Sequence, residues 1–254
     1  RDRLSTPQTH RYGDQNSQFG ELWPPREDGT PAPLVILIHG GCWLSDYDLS
    51  YVRPLADALR REGYAIWVPE YRRVGEPGGG WPGTFEDIAA AVDFVREMPL
   101  VNVDLARIVV AGHSAGGHLA LWAAVRPGFA ESSPFHASSA LTVAGVLGLA
   151  AITDLAAYAA GDNSCQQVTP RLLGGMPQEH PERYSVTSPA QLPVHSKSVL
   201  IYGFSDQIVP LEQARVIENA HLVGIPEAGH FDLVHPGTAA FGYLLEALNG
   251  LVGR

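Results

Sequence analysis

Ile108-Val109-Val110-Ala111-Gly112-His113-Ser114-Ala115-Gly116-Gly117-His118-Leu119 is the stretch that decides how this chain folds. Its first four residues form a continuous apolar run, as expected of a strand buried on both faces. Its end opens a run of small and apolar residues, Leu119 to Val125, that reads as a helix. Between them, Gly112-His113-Ser114-Ala115-Gly116 must turn strand into helix within a few residues. The pattern G-x-S-x-G suits that turn, because a Cβ two residues either side of the serine would collide. With 27 glycines in 254 residues, the five-residue match alone is weak. The strand before it and the helix after it give it weight.

Outward from this turn, short β-rich runs alternate with helical patterns, which indicates a mostly parallel sheet with crossover helices. Strands are expected at Leu34 to Ile38, Ala65 to Val68, Ile108 to Ala111, Leu141 to Leu149, Val199 to Tyr202 and His221 to Ile225. Helices are expected over Leu49 to Arg61, from Thr84 onward, over Leu211 to Asn219, and over Ala239 to Leu248. Thr84 with Asp87 three residues on resembles a capping box. The residues before Leu34 read as a polar, Pro-rich lead-in. From Asp154 to His195 the periodicity breaks down, and a segment that long and irregular is expected to be functional, as a small cap.

The composition is globular, with 45% hydrophobic and 17% charged residues, and the length suits one α/β domain over residues 1–254. A formal charge of −10, with Lys197 as the only lysine, leaves no basic stripe for nucleic acid. The longest apolar stretch, Ala140 to Thr153, is too short to span a bilayer. Arg1 to Pro7 has no apolar leader core, so a cytoplasmic location is favoured, with export left open because the sequence lacks its initiator Met. Two cysteines, Cys42 and Cys165, make no disulfide framework. Nothing in the sequence brings them together, and a single bridge is left open. No histidines stand at H-x-x-x-H spacing and no phosphate-binding glycine loop follows a strand, so no metal and no cofactor is implied.

A serine nucleophile needs a base and an acid. Of ten histidines, His230 lies in Glu227-Ala228-Gly229-His230-Phe231, after the last expected strand and before the last helix. That position follows the chain order serine, acid, histidine. His113 and His118 flank the serine too closely to reach it, His39 reads as a structural hydrogen-bonder, and His235 is a weaker rival. Asp206, just past the Val199–Tyr202 strand, is the expected acid, with Asp232 as the fallback. His39-Gly40-Gly41-Cys42-Trp43 follows the first core strand. The backbone N–H groups of Gly41, Cys42 and Ala115 are the expected oxyanion donors. Trp43, Trp81 and Tyr158 are expected to wall the substrate cleft.

Together, HGGCW, GHSAGGHLA, the Gly203–Pro210 loop and EAGHF resemble the α/β-hydrolase superfamily, and within it the small esterases and the kynurenine formamidase (arylformamidase)-like branch. The resemblance runs from about Leu34 to the C-terminus and departs at Cys42, where relatives often carry Gly or an aromatic residue. It implies an α/β-hydrolase fold and a serine carboxylesterase acting on small acyl or aryl esters through an acyl-enzyme. An arylformamidase is the alternative, and a non-catalytic protein on the same scaffold is the reading from another class. The implied partner is a small-molecule ester or formamide.

Overall fold

The computed structural model describes residues 6–26 and 29–254; the leader reading falls largely on residues 1–5, outside them. Its strands are β1 (Gln8–Arg11), β2 (Phe19–Trp23), β3 (Ala32–Ile38), β4 (Ala65–Pro69), β5 (Val103–His113), β6 (Gly145–Leu149), β7 (Ser198–Gly203) and β8 (His221–Ile225). They form one eight-stranded sheet in the order β1-β2-β4-β3-β5-β6-β7-β8. The β1–β2 and β2–β4 pairs are antiparallel, and every other pair is parallel.

The helices are α1 (Arg53–Arg61), α2 (Gly83–Asp93), α3 (Ala115–Val125), α4 (Leu155–Ala159), α5 (Thr169–Leu173), α6 (Pro181–Thr187), α7 (Glu212–Arg215) and α8 (Ala240–Val252). Side chains along a strand alternate between faces, and β3 shows what that does here. Leu34, Ile36 and Ile38 enter a core shared with Phe85 and Ile88 of α2 and Leu119 and Trp122 of α3. Val35 and Leu37 enter the opposite core, with Leu55 and Leu59 of α1 and Leu244 and Leu248 of α8. A strand covered on both faces has no room for polar residues, hence the unbroken apolar run. Burial of each such side chain contributes roughly 1.5–3 kcal/mol.

The polar lead-in holds two strands that the sequence pattern does not announce. β1 and β2 add an antiparallel edge to the sheet. The apolar pattern hides β2 because buried Glu21 lies in the middle of it, paired with Arg53 at 2.6 Å. The strand expected from Leu141 begins only at Gly145, and the helix expected over Leu211 to Asn219 shrinks to the four residues of α7. The Thr84–Asp87 capping box does not form. Thr84 lies inside α2 and its hydroxyl donates to the carbonyl of Arg72. The Asp87 carboxylate instead accepts from the Arg72 backbone and guanidinium and from Gln18.

Between β6 and β7, the segment 154–195 carries α4, α5 and α6. Its Leu155, Tyr158, Leu172, Leu173 and Tyr184 are buried in the main core. Its join to α3 is polar as well: His118 Nε2 and Trp122 Nε1 donate to the carbonyls of Thr187 and Val186. This segment is packed down onto the body of the domain.

Candidate active site

Ser114 sits where β5 gives way to α3, with φ 58° and ψ −120°. A residue other than glycine held there is strained and persists only because its surroundings over-determine it. The surroundings are tight. A Cβ on Gly112 would lie 2.1 Å from the carbonyl oxygen of Gly116, and one on Gly116 would lie 2.2 Å from that of Ile38. The Ser114 amide donates to Leu149 of β6 at 2.8 Å, which fixes the turn to the neighbouring strand.

His230 lies on the loop after β8, and its Nδ1 meets Oδ2 of Asp206 at 2.7 Å. Asp206 follows β7, and its Oδ1 accepts from the amides of Ile208 and Val209 at 2.8 and 3.0 Å. Burial pushes the Asp206 carboxyl up, but the hydrogen bond and charge of His230 and the two amides outweigh it. The net position is below the ordinary carboxylate value. An ionised carboxylate only accepts, so Nδ1 of His230 carries a proton, and in the neutral form of the ring Nε2 is the acceptor. Among the described residues no Ser114–His230 hydrogen bond is formed; catalytic hydrogen bonds of this kind commonly tighten in the substrate complex.

The competing candidates are otherwise employed. Asp232 Oδ2 accepts from the Gly229 amide at 2.7 Å, holding the loop rather than the imidazole. His235 Nδ1 takes the Gly237 amide at the surface. His39 is fully buried, with Nε2 on Glu70 at 2.7 Å and Nδ1 on the Gly40 carbonyl. His118 accepts from Trp43 Nε1 at Nδ1, and burial pushes it down to about 4, so it is neutral.

Gly41, Cys42 and Trp43 have successive φ values of 94°, 53° and 56°. This run of left-handed residues curls the chain beside the serine. Among the described residues, the amides of Gly41 and Cys42 donate to no protein acceptor. The amide of Ala115 belongs to the first turn of α3, where no intrahelical acceptor exists. The turn is tied down by the Val74 amide, which donates to the Trp43 carbonyl at 2.8 Å. It is also tied by a disulfide between Cys42 and Cys165, with Cα atoms 5.1 Å apart. The sequence alone leaves that bridge open.

Ser114 and His230 share a cavity of about 340 Å³ with Gly41, Cys42, Tyr47, Tyr51, His113, Asn163, Ser164, Cys165, Gln207, Ile208 and Phe231. A larger groove of about 750 Å³, between β8 and α8, is lined by Ser196, Ser198, His221 and Glu246, but among the described residues His221 and Glu246 form no ion pair. The aromatic walls differ from those expected. Trp43 is fully buried and bonded to His118. Trp81 packs on Phe85 and Phe135, under the Arg183 guanidinium. Tyr158 is buried, with its hydroxyl donating to Ile208. None of the three lines the cavity. Large rings went to the core because that is where their area could be removed from water. The half-exposed Tyr47 and the exposed Phe231 take their place at the mouth. Phe231 was signalled by its position next to His230, whereas Tyr47, Asn163 and Gln207 carry no local sequence signal.

The BD-FAE family model matches residues 21–221, from β2 to the start of β8. The esterase LipC of Mycobacterium tuberculosis is 27% identical over 238 residues, covering 89% of this chain and 58% of LipC. The chain thus spans little more than half the length of that relative. A truncated carbohydrate esterase from gut microbiota superposes with a TM-score of 0.81 at 21% identity, over 99% of this chain and 98% of that one. Esterase B of Lactobacillus rhamnosis, in a structure inhibited by a tributyrin phosphonate, superposes with a TM-score of 0.81 at 23% identity, over 97% of this chain and 86% of its own. At such identities the likeness speaks for the fold alone, an α/β-hydrolase fold.

Proposed function

The chain belongs to the BD-FAE family, and from that premise we propose that it is a serine carboxylesterase acting on small acyl and aryl esters. The observation that carries this reading is the 2.7 Å Asp206–His230 contact at the rim of the cavity onto which Ser114 is turned. On this reading the Ser114 hydroxyl attacks the ester carbonyl while Nε2 of His230 takes its proton. Asp206 holds the imidazole in the required tautomer and stabilises its charged form. The unpaired amides of Gly41 and Cys42, with that of Ala115, receive the oxyanion that develops. His230 then protonates the departing alcohol, and water repeats the sequence in reverse to free the acid.

A cavity of about 340 Å³ suits a small ester, since ligand pockets generally run from about 300 to 1,000 Å³. The segment 154–195 serves as a short, firmly packed cap that supplies Asn163, Ser164 and Cys165 to the cavity wall. The Cys42–Cys165 bridge favours an oxidising compartment, and hence export, over the cytoplasmic location favoured from sequence. Among the described residues, no helix is long and apolar enough to cross a membrane.

The test is a panel of p-nitrophenyl esters of increasing acyl length, run beside an N-formyl aromatic amine, with a fluorophosphonate probe and mass mapping of the adduct. Ester turnover with the adduct on Ser114 supports the reading. A formamide that outperforms every ester shifts it to the formamidase alternative. No turnover and no adduct leaves a non-catalytic protein.

A further inference from the structure

Three hydrogen bonds run in series behind the candidate site. The Gly40 amide donates to the Tyr51 phenol oxygen at 2.5 Å. Tyr51 meets Nδ1 of His113 at 3.2 Å, and Nε2 of His113 meets the His230 carbonyl oxygen at 3.0 Å. Chemistry sets every direction. A carbonyl only accepts, so Nε2 of His113 carries the proton. Burial, reinforced by the neighbouring His230, pushes His113 down to about 3, so the ring is neutral and its Nδ1 is an acceptor. Tyr51 therefore donates to Nδ1, and burial pushes its phenol up, keeping that proton in place.

The series joins segments that come from different strand ends. Gly40 immediately precedes Gly41, a candidate oxyanion donor, on the loop after β3. His113 immediately precedes Ser114 at the end of β5. His230 is the candidate base, on the loop after β8. Tyr51, in the turn leading into α1, is the piece that spans them. The fit leaves no slack: a Cβ on Gly40 would lie 2.4 Å from the His113 carbonyl oxygen and 2.8 Å from the Tyr51 oxygen. The His113 and His230 rings also pack at 4.5 Å between centroids.

We propose that Tyr51 and His113 are positioning residues, which hold the His230 backbone and the Gly40–Gly41 amides in register with Ser114. The proposal rests on the esterase reading above. Asp206 fixes one nitrogen of the His230 ring, but the point from which the side chain projects is set by the backbone. The bond from His113 anchors that point. A misplacement of about 1 Å in such a constellation costs on the order of 10²-fold in rate.

Tyr51 also lines the cavity, so a direct substrate contact is the competing role, and the kinetic parameters separate the two. Tyr51→Phe keeps the ring and removes both hydrogen bonds. It should lower kcat by roughly 10- to 100-fold, with KM within about threefold of wild type and Tm little changed. His113→Leu should match that loss, His113→Gln should recover most of it by retaining a donor toward His230, and Tyr51→Phe/His113→Leu should be little worse than the poorer single variant, because the series acts as a unit. If the His113 variants do not fold, Tyr51→Phe decides alone. A Tyr51→Phe kcat within about threefold of wild type overturns the proposal, as does a rise in KM at unchanged kcat. Fluorophosphonate labelling keeps the two levels apart. Absence of a Ser114 adduct in the wild type sinks the esterase reading, whereas an adduct forming equally fast in wild type and Tyr51→Phe sinks the positioning role alone.

Discussion

Cys42 and Cys165 are bonded to one another across 123 residues of sequence, and both line the cavity that holds Ser114. The bridge ties the left-handed turn at Gly41–Trp43 to the segment between β6 and β7. One wall of the candidate site is thereby held against another. Closing so long a loop removes much freedom from the unfolded chain, and the Cα separation of 5.1 Å lies within the ordinary range for a disulfide.

Replacing both cysteines by alanine should therefore destabilise the fold by about 2–4 kcal/mol. Urea unfolding of the oxidised protein against Cys42→Ala/Cys165→Ala measures it. Coincident midpoints for the two would show that the bridge contributes nothing to stability.

Ser114→Ala should abolish ester turnover, with a loss of about a thousandfold or more in kcat, because the members of such a triad act as a unit. The unfolding midpoint should hardly move, since the hydroxyl makes no hydrogen bond among the described residues. Residual activity within tenfold of wild type would remove Ser114 from the nucleophile's role.

Asp206→Asn should reduce kcat by about 10⁴-fold, because an amide donating to Nδ1 forces the wrong imidazole tautomer. Asp232→Asn should be far milder, since Asp232 touches the Gly229 amide and not the His230 ring. Steady-state kinetics on the pair gives the answer, and the reverse ranking would exchange their roles.

Stability should begin to fall as the pH drops below about 6.5. Burial lowers His113 to about 3 and His118 to about 4 from the ordinary histidine value of 6.5. Their folded pKa values lie below the unfolded ones, so the unfolded chain binds protons that the folded chain refuses. Their contribution is complete above the unfolded value and is lost progressively down to the folded values. Each costs up to about 1.4 kcal/mol per pH unit in that window. The Asp206 carboxyl is also depressed, but from 3.8, so its loss belongs to more acidic solution. Urea midpoints that stay level from pH 7 to 5 would contradict the neutral, buried assignment of both histidines.

Among aryl esters, kcat/KM should peak for acyl chains of about two to four carbons and fall with longer ones. A longer chain must displace a segment whose Leu172 and Tyr184 are anchored in the core, which consumes binding energy otherwise available to the transition state. A peak at about ten carbons or more would show that the segment opens readily.

Much of this protein was decided by local sequence. The strand–Ser114–helix turn, the apolar run of β3 and the alternation around them determine a mostly parallel α/β sheet, because periodicity and glycine placement act over a few residues. Ser114, Asp206 and His230 stood out as candidates for the same reason, each lying just past a strand end. The contents of the cavity were decided only in three dimensions. Trp43, Trp81 and Tyr158 are aromatic and near the right segments, yet whether such a ring faces core or cleft depends on what other elements pack against it. Cys42 found Cys165, and Tyr51 found His113, through the convergence of loops more than sixty residues apart in the chain. Even β2 was hidden, because Glu21 is buried through a partner, Arg53, that only the folded chain supplies. Propensity and pattern are local properties of a chain, whereas burial, pairing and the shape of a cavity are properties of contacts between distant parts of it.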